Sequence, residues 1–272
     1  MRQRSDTPDR GALRRFWNAR LDPLEWNHVG DAGDAPPRAS RGSALTAAVE
    51  ALRPIAAQRI LELGCGVEGL ASDLRDRGAD VTAIDLAERR VAVAQTRFGR
   101  QSSGTGSVLT CAADANLLPF RAATFDAIVA QDVLMYNDPS SIQGEAARVL
   151  RPGGRLVLVE ALRGNPALAW IRNRVDASEH SRYANYLSWS ELRGHSDGLR
   201  TVKKSAHTLV SLPAWWVLFR LRSVHWHRRL LRLLEPLDRG LLRVAPALGH
   251  WAWRGVLVLE RVEAPDPARL CR

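Results

Sequence analysis

Residues 59–69 read Arg59-Ile-Leu-Glu-Leu-Gly-Cys-Gly-Val-Glu-Gly69, a short apolar run that ends abruptly in glycines. Such a run, closed by Gly64, predicts a buried strand. The glycines predict a tight turn into a helix, where backbone can approach a ligand and the first helical N–H groups point at it. That helix covers Leu70 to Arg77 and stops at Gly78. Moving outward, the alternation repeats. Val81-Thr-Ala-Ile84 is a strand, Glu88 to Phe98 a helix and Ser107 to Ala113 a strand. Phe125 to Ala130 is a fourth strand, Ile142 to Leu150 a helix, Pro152-Gly-Gly154 a turn and Arg155 to Val159 a fifth strand. Leu199 to Val210 and Gly255 to Val262 complete the set. Strands alternating with helices require parallel pairing and right-handed crossovers, hence a doubly wound, mostly parallel seven-stranded α/β sheet.

Around this frame, residues 1–45 read as an N-terminal helical arm and linker with an aromatic and basic patch (Phe16, Trp17, Arg20, Trp26), of which Trp17, Arg20 and Trp26 are placed to close over a ligand. Residues 46–272 read as one α/β domain, and 211–252 as a helical insertion between the last two strands. Of the 272 residues, 46% are hydrophobic, enough for a substantial core, which excludes a disordered chain. Three scattered cysteines exclude a disulfide scaffold and suit a reducing compartment. No apolar run is long enough to span a bilayer, and the opening residues lack the apolar segment of a signal peptide, so a cytoplasmic location is expected. No CxxC, HExxH or calcium-loop pattern occurs, so no metal site is expected.

Polar groups follow three strands at the edge where open α/β sheets bind ligands. Gly64 and Gly66 follow the first strand. Asp85 ends the second, 21 residues after Gly64, where a carboxylate can accept from both ribose hydroxyls. Asp114 follows the third, placed for an adenine amino group, with the Ala115 N–H beside it. The spacing alone is ambiguous, since Gly64-Cys-Gly66-Val-Glu-Gly69 also fits the dinucleotide fingerprint of an NAD(P)-dependent oxidoreductase.

Ile60-Leu-Glu-Leu-Gly-Cys-Gly66, Val81-Thr-Ala-Ile-Asp85, Asp114-Ala-Asn-Leu-Leu-Pro-Phe120, Phe125-Asp-Ala-Ile-Val129 and Arg148-Val-Leu-Arg-Pro-Gly-Gly-Arg-Leu-Val157 resemble the ordered motifs of class I S-adenosylmethionine-dependent methyltransferases. They are most similar to the branch that includes ubiquinone and menaquinone biosynthesis enzymes, over about residues 55–162. The resemblance implies S-adenosylmethionine as cofactor, with Glu62 and Gly64 at its methionine end and Gly66 in the loop. It implies Asp85 on the ribose, Leu86, Asp114 and Ala115 at the adenine, and Gln131 facing the methionine part. Two positions depart from the family pattern. Glu68 stands where a third glycine is usual, which leaves a non-catalytic scaffold as a further reading. Met135-Tyr136 replaces an acidic-His pair, so Tyr136 is a candidate for shaping the acceptor pocket. Methyl transfer is dominated by positioning, and a general base is needed only if the acceptor must lose a proton. His180, in Glu179-His-Ser-Arg-Tyr-Ala-Asn-Tyr186, is the candidate base. The acceptor is expected to be small or lipid-like and methylated on oxygen or carbon.

The net charge of +10 is unevenly spread. Residues 1–160 hold 20 Arg and 20 acids, whereas 161–272 hold 19 Lys plus Arg against 9 acids. At 100° per residue, Arg222, His225, Arg228, Arg229 and Arg232 share one side of a helix and Trp215, Phe219, Trp226, Leu230 and Leu233 another, with Pro236 expected to end it. Such a segment reads as a lid roofing the acceptor pocket, or as a peripheral contact with an anionic membrane through 213–245. Nucleic acid is disfavoured, because the Asn/Asp-Pro-Pro-aromatic signature of amino-group methylation is missing.

Overall fold

A computed structural model of the chain describes residues 8–21, 42–67, 69–99, 105–166, 168–169, 180–194, 198–221 and 223–262. Helix α1 (Arg10–Asn18) precedes α2 (Gly42–Ala51), and the alternating unit then runs β1 (Arg59–Leu63), α3 (Ala71–Asp76), β2 (Asp80–Asp85), α4 (Glu88–Gly99), β3 (Ser107–Ala112), β4 (Phe125–Gln131), α5 (Pro139–Val149) and β5 (Leu150–Ala161). Two short helices follow, α6 (His180–Tyr183) and α7 (Trp189–Arg193), then β6 (Leu199–His207), α8 (Leu212–Leu221), α9 (Val224–Val244) and β7 (Arg254–Arg261).

The strands form one sheet in the order β3-β2-β1-β4-β5-β7-β6. All pairs among β1 to β5 are parallel, while β7 runs antiparallel between β5 and β6. Central strands are buried on both faces, as parallel strands covered by helices must be. Alternation divides each strand between two layers. Ile60, Val81, Val129 and Val157 pack with Leu52 of α2, Leu74 of α3 and Phe98 of α4. Leu61, Ile84, Ile128 and Leu156 pack with Ile142 and Val149 of α5 and Leu192 of α7. Because the parallel strands point the same way, their carboxyl ends converge on one edge, between β1 and the reversal of strand order at β4.

Local signals explain the helix starts. Asp138 caps α5 by accepting from Ser141 N at 3.0 Å, with Pro139 in the first turn. Ser188 and Glu191 form a reciprocal capping box on α7.

Some sequence expectations are corrected. The Pro152-Gly-Gly154 segment does not separate a helix from β5. It is a bulge within β5, whose pairing jumps from Phe125↔Leu150 to Ala127↔Arg155. The last-but-one strand stops at His207 rather than Val210. The amphipathic segment is two helices: α8 carries Trp215, and Ser223 starts α9 by accepting from Trp226 N. Arg222 lies outside the described residues. Trp215 and Trp226 therefore do not share a face. Trp215 turns inward, edge-on to Trp253 at 5.4 Å and to His227 at 4.9 Å.

Nor does Pro236 end the helix, which runs through it to Val244. An interior proline loses one N–H bond and its ring crowds the carbonyl four residues back, but Pro236 faces solvent and tertiary contacts hold the turns on either side. Asp238 accepts from Leu209 N and Val210 N, Glu235 from Ser43 N, and His227 Nδ1 lies 2.9 Å from Ala214 O.

Candidate functional site

The crevice at the sheet's carboxyl edge begins with the turn after β1. Gly64 and Gly66 have φ of +67° and +56°, in the left-handed region that favours glycine. Space opposes a side chain as well, most firmly at Gly64. A Cβ on Gly64 would lie 2.6 Å from Val133 Cγ2, and one on Gly66 2.6 Å from a terminal nitrogen of Arg90. Asp85, nearly buried, ties the turn to β2 by accepting from Gly66 N and Ala87 N, both at 2.9 Å. Each of its oxygens thus takes one backbone donor and keeps acceptor capacity for another.

Glu62 is buried, and its carboxylate accepts from Leu70 N at 2.5 Å and Ala71 N at 2.9 Å. The residue holds the start of α3, because buried N–H groups there need an acceptor. Gly69 serves the same contact: a Cβ at this position would lie 2.6 Å from Glu62 Cδ. The third glycine of the loop is therefore Gly69. Glu68 lies outside the described residues.

Past β3, Asp114 Oδ2 accepts from Arg10 Nε at 2.8 Å, while Oδ1 accepts from Arg10 Nη2 and from Asn116 N and Nδ2, the last two at 2.9 Å. Burial alone would raise its pKa, but the hydrogen bonds from Arg10 and Asn116 outweigh it and hold the carboxyl below the usual range. Oδ1 is saturated and Oδ2 keeps room for one more donor. Arg10 also donates to Asn137 Oδ1 at 2.6 Å, so α1 is stapled across the β3 and β4 ends. Arg14 on Glu88 reinforces this at 2.9 Å. Ala115 is buried beside Asp114 and Leu86 half-buried under α1.

At β4 the crevice is lined by Gln131 and by Asp132, a non-glycine residue at φ +52°. Asp132 pairs with Arg254 of β7. Glu160, at the end of β5, is fully buried; Oε1 accepts from Val133 N and Leu134 N at 2.8 Å, and Oε2 has no partner. Burial first, and then the nearby Asp132, push its pKa up to about 8, so Glu160 is largely protonated at neutral pH. It holds the turn Leu134–Tyr136 in place. Tyr136 is buried there, edge-on to Trp17 at 5.4 Å, and burial pushes its phenol further up, keeping it protonated.

Trp17 roofs the crevice with Leu13 and Phe16, packed over Met135, Tyr136, Tyr183, Tyr186 and Trp253. Arg90 reaches from α4 under this roof, 4.5 Å from the Trp17 ring, with a buried Nε that has no partner. Arg20 folds back over Phe16, and Trp26 lies outside the described residues. His180 is in α6, but its side chain lies outside the described residues. The structure thus brings Gly64, Gly66, Asp85, Leu86, Asp114, Ala115, Gln131 and Tyr136 to one edge. Sequence reasoning missed Arg90 and Asp132, which lie beside residues it named, and Arg10, Glu160 and Arg254, which reach the site only through contacts distant in sequence. No group of His, Cys, Asp or Glu able to hold a metal occurs among the described residues.

Sheet order, antiparallel last strand and glycine turn together define a Rossmann-like methyltransferase fold. Residues 61–158 match the family model of the methyltransferase domain. An uncharacterized methyltransferase of Mycobacterium tuberculosis is 34% identical over 125 residues, 46% of this chain and 48% of that protein. A ubiquinone biosynthesis O-methyltransferase of Chromobacterium violaceum is 31% identical over 146 residues, 51% of this chain and 62% of the relative. The chain spans about half the length of these curated relatives. Among solved structures, the magnesium protoporphyrin IX methyltransferase of Synechocystis with bound SAH superposes at a TM-score of 0.62 and 16% identity, covering 93% of this chain and all of that one. A geranyl diphosphate methyltransferase in complex with GPP and sinefungin gives 0.64 and 18%, covering 93% and 99%; at these identities the likeness is one of fold. Residues 61–158 are thus similar to the methyltransferase domain, and the chain has the Rossmann-like fold of the class I S-adenosylmethionine-dependent methyltransferases. The motif order, rather than the glycine loop alone, separates it from the nicotinamide-dependent oxidoreductases.

The residues present fit S-adenosylmethionine, the cofactor of this class. The glycine turn leaves backbone exposed where any Cβ would clash, Asp85 keeps acceptor capacity on both oxygens, and Arg90 brings an unspent buried donor.

Proposed function

We propose that this protein transfers a methyl group from S-adenosylmethionine to oxygen or carbon of a small or lipid-like acceptor by in-line displacement. The observation that carries the reading is the gathering of Gly64, Gly66, Asp85 and Asp114 on one sheet edge, beneath the aromatic roof of α1. Bound S-adenosylmethionine supplies a methyl carbon activated by a positive sulfur. The chain's task is then positioning, which in favourable cases contributes roughly 7–11 kcal/mol. Asp85 accepts from the ribose hydroxyls, Oδ2 of Asp114 and the Ala115 N–H take the adenine edge, and Arg90 is the partner for the donor's carboxylate. Gln131 faces the methionine part. Tyr136, Trp17, Tyr183, Tyr186 and Trp253 exclude water from the acceptor side, and their apolar surface suits a prenyl-like or aromatic acceptor. Similar proteins named for O-methylation in ubiquinone biosynthesis and C-methylation of geranyl diphosphate or a sterol support such an acceptor class. His180 is the candidate base for an acceptor that must lose a proton, and Tyr136 shapes the pocket. The enzyme is read as cytoplasmic and peripheral at the membrane, in contact through 213–245; no described helix is long and apolar enough to cross one.

Titration calorimetry with S-adenosylmethionine and, separately, NADH tests the donor assignment, and labelled-methyl transfer to a panel of prenylated phenols tests the acceptor. Binding of the sulfonium donor alone is expected. Absence of heat with that donor, or unchanged methylation kinetics in an Asp85→Ala variant, overturns the reading. Undiminished turnover in His180→Ala removes that residue from the mechanism.

A further inference from the structure

We propose that the outward face of α9 is a docking surface for a bilayer bearing anionic headgroups. The inference sharpens the peripheral contact of the preceding section to one stripe of side chains, and stands apart from methyl transfer.

Trp226, Leu230, Leu233, Leu237, Leu241 and Val244 follow one another at intervals of three and four residues, so they form one stripe along the helix. At 1.5 Å per residue this stripe is about 27 Å long. A helix packed on a domain normally turns such a stripe into the core. Here it faces out: Leu233 is 62% exposed, Leu237 56%, Trp226 53% and Val244 87%, and Trp251 in the turn after α9 adds 50%. The core side of α9 is supplied by other residues, His227, Leu231 and Asp238, which are buried.

Charge chooses the occupant. Arg229, Arg232, Arg239 and Arg243 are exposed on the solvent side of the helix, Arg229 and Arg243 nearest the stripe and Arg232 and Arg239 further round, and none of them makes an ion pair with a described residue. Arg229 lies 5.5 Å from the Trp226 ring centre, guanidinium over aromatic. The only two acids of 211–253 are Glu235 and Asp238. Both are spent inside, Glu235 on Ser43 N and Asp238 on Leu209 N, Val210 N and the Ser211 hydroxyl. The exposed surface therefore presents a tryptophan, aliphatic side chains and arginines with no carboxylate from this segment. A second protein copy would bring like charge against like. A lipid surface instead offers headgroup anions to the arginines and an apolar layer to the stripe, the arrangement of helices lying in a membrane interface.

Trp215 inside α8 touches Trp253, the neighbour of Arg254 at the crevice, so the docked face and the acceptor side belong to adjoining elements. Docking would hold the crevice near a membrane-dissolved acceptor.

The test is co-sedimentation of the full chain with phosphatidylglycerol vesicles and with phosphatidylcholine vesicles, from low to high salt, alongside Leu233→Gln/Leu237→Gln and Arg229→Gln/Arg243→Gln variants. The changed residues are exposed, so circular dichroism should show folding unaltered. Binding to the anionic vesicles, its loss at high salt, and its weakening in both variants are expected. One basic residue at an anionic surface is worth about fivefold in binding, so the double arginine variant should bind about twenty-five-fold more weakly. No binding to anionic vesicles at low salt, equal binding by the variants, or self-association abolished by Leu233→Gln/Leu237→Gln without vesicle binding, each overturns the proposal. Because sedimentation requires no turnover, failure here leaves the methyltransferase reading intact, and failure of calorimetry with the donor leaves this one intact.

Discussion

Replacing Gly69 with alanine forces a methyl group into space already held by the Glu62 carboxylate. The added carbon would lie 2.6 Å from Glu62 Cδ, about 1 Å inside an ordinary carbon–carbon contact. Glu62 is 3% exposed and held by Leu70 N and Ala71 N, so it can retreat only by giving up those bonds. Hydrogen bonds to a charged acceptor contribute about 1.5–3 kcal/mol each, which sets the cost at about 3–6 kcal/mol. Against a total stability of about 5–15 kcal/mol this is severe. It corresponds to a fall in Tm of about 6–24 °C. Gly69 does not adopt a left-handed conformation, so backbone strain adds nothing and the effect is steric. A double-mutant cycle with Glu62→Ala isolates it, read by urea unfolding and differential scanning calorimetry. Once Glu62 is shortened, Gly69→Ala should cost almost nothing, giving a coupling of about 2 kcal/mol or more. Additivity within about 0.5 kcal/mol would refute the claim that this glycine exists to admit that carboxylate.

Asp85→Asn keeps an acceptor for one backbone N–H but loses charge, and should weaken S-adenosylmethionine binding about tenfold or more by calorimetry. Arg10→Ala removes the clamp on Asp114 and Asn137; trypsin cleavage at Arg14 and Arg15 should accelerate several-fold as α1 loosens. Glu160 has a folded pKa of about 8 against 4.5 for the ordinary carboxyl, so the unfolded chain releases this proton first as pH rises. Its contribution is therefore fully present below about pH 4.5 and fades as pH climbs through 8, by up to about 5 kcal/mol. Urea midpoints at several pH values should show Glu160→Gln losing this decline while retaining the acceptor for Val133 and Leu134 N–H.

How far the sequence carried the reading differs from element to element. Arg59–Leu63, Val81–Ile84 and Phe125–Ala130 were legible because each is a short apolar run cut off by glycine, acid or amide, and burial on both faces leaves such runs one conformation to adopt. Gly64, Gly66, Asp85 and Asp114 were legible because the turn after a parallel strand lands at the sheet's edge whatever the rest of the chain does. Pro236 was misread because the rule that proline ends helices is local, whereas Asp238, Glu235 and His227 anchor that helix to other elements of the fold. Trp215 was misread for a related reason: Ser223 caps a new helix, so one aromatic turns inward and the other stays outside.

The order of strands, the glycine turn and the carboxylates beyond it follow from the chain's own pattern, since periodicity and steric freedom act between near neighbours. Which groups those carboxylates meet was decided only by the folded chain. Arg10 reaches Asp114 across 104 residues, Arg254 reaches Asp132 across 122, and Glu160 takes the N–H groups of Val133 and Leu134 from another strand. The outward turn of Leu233 and Leu237 was likewise fixed in three dimensions, because only packing determines which side of an amphipathic helix the core receives.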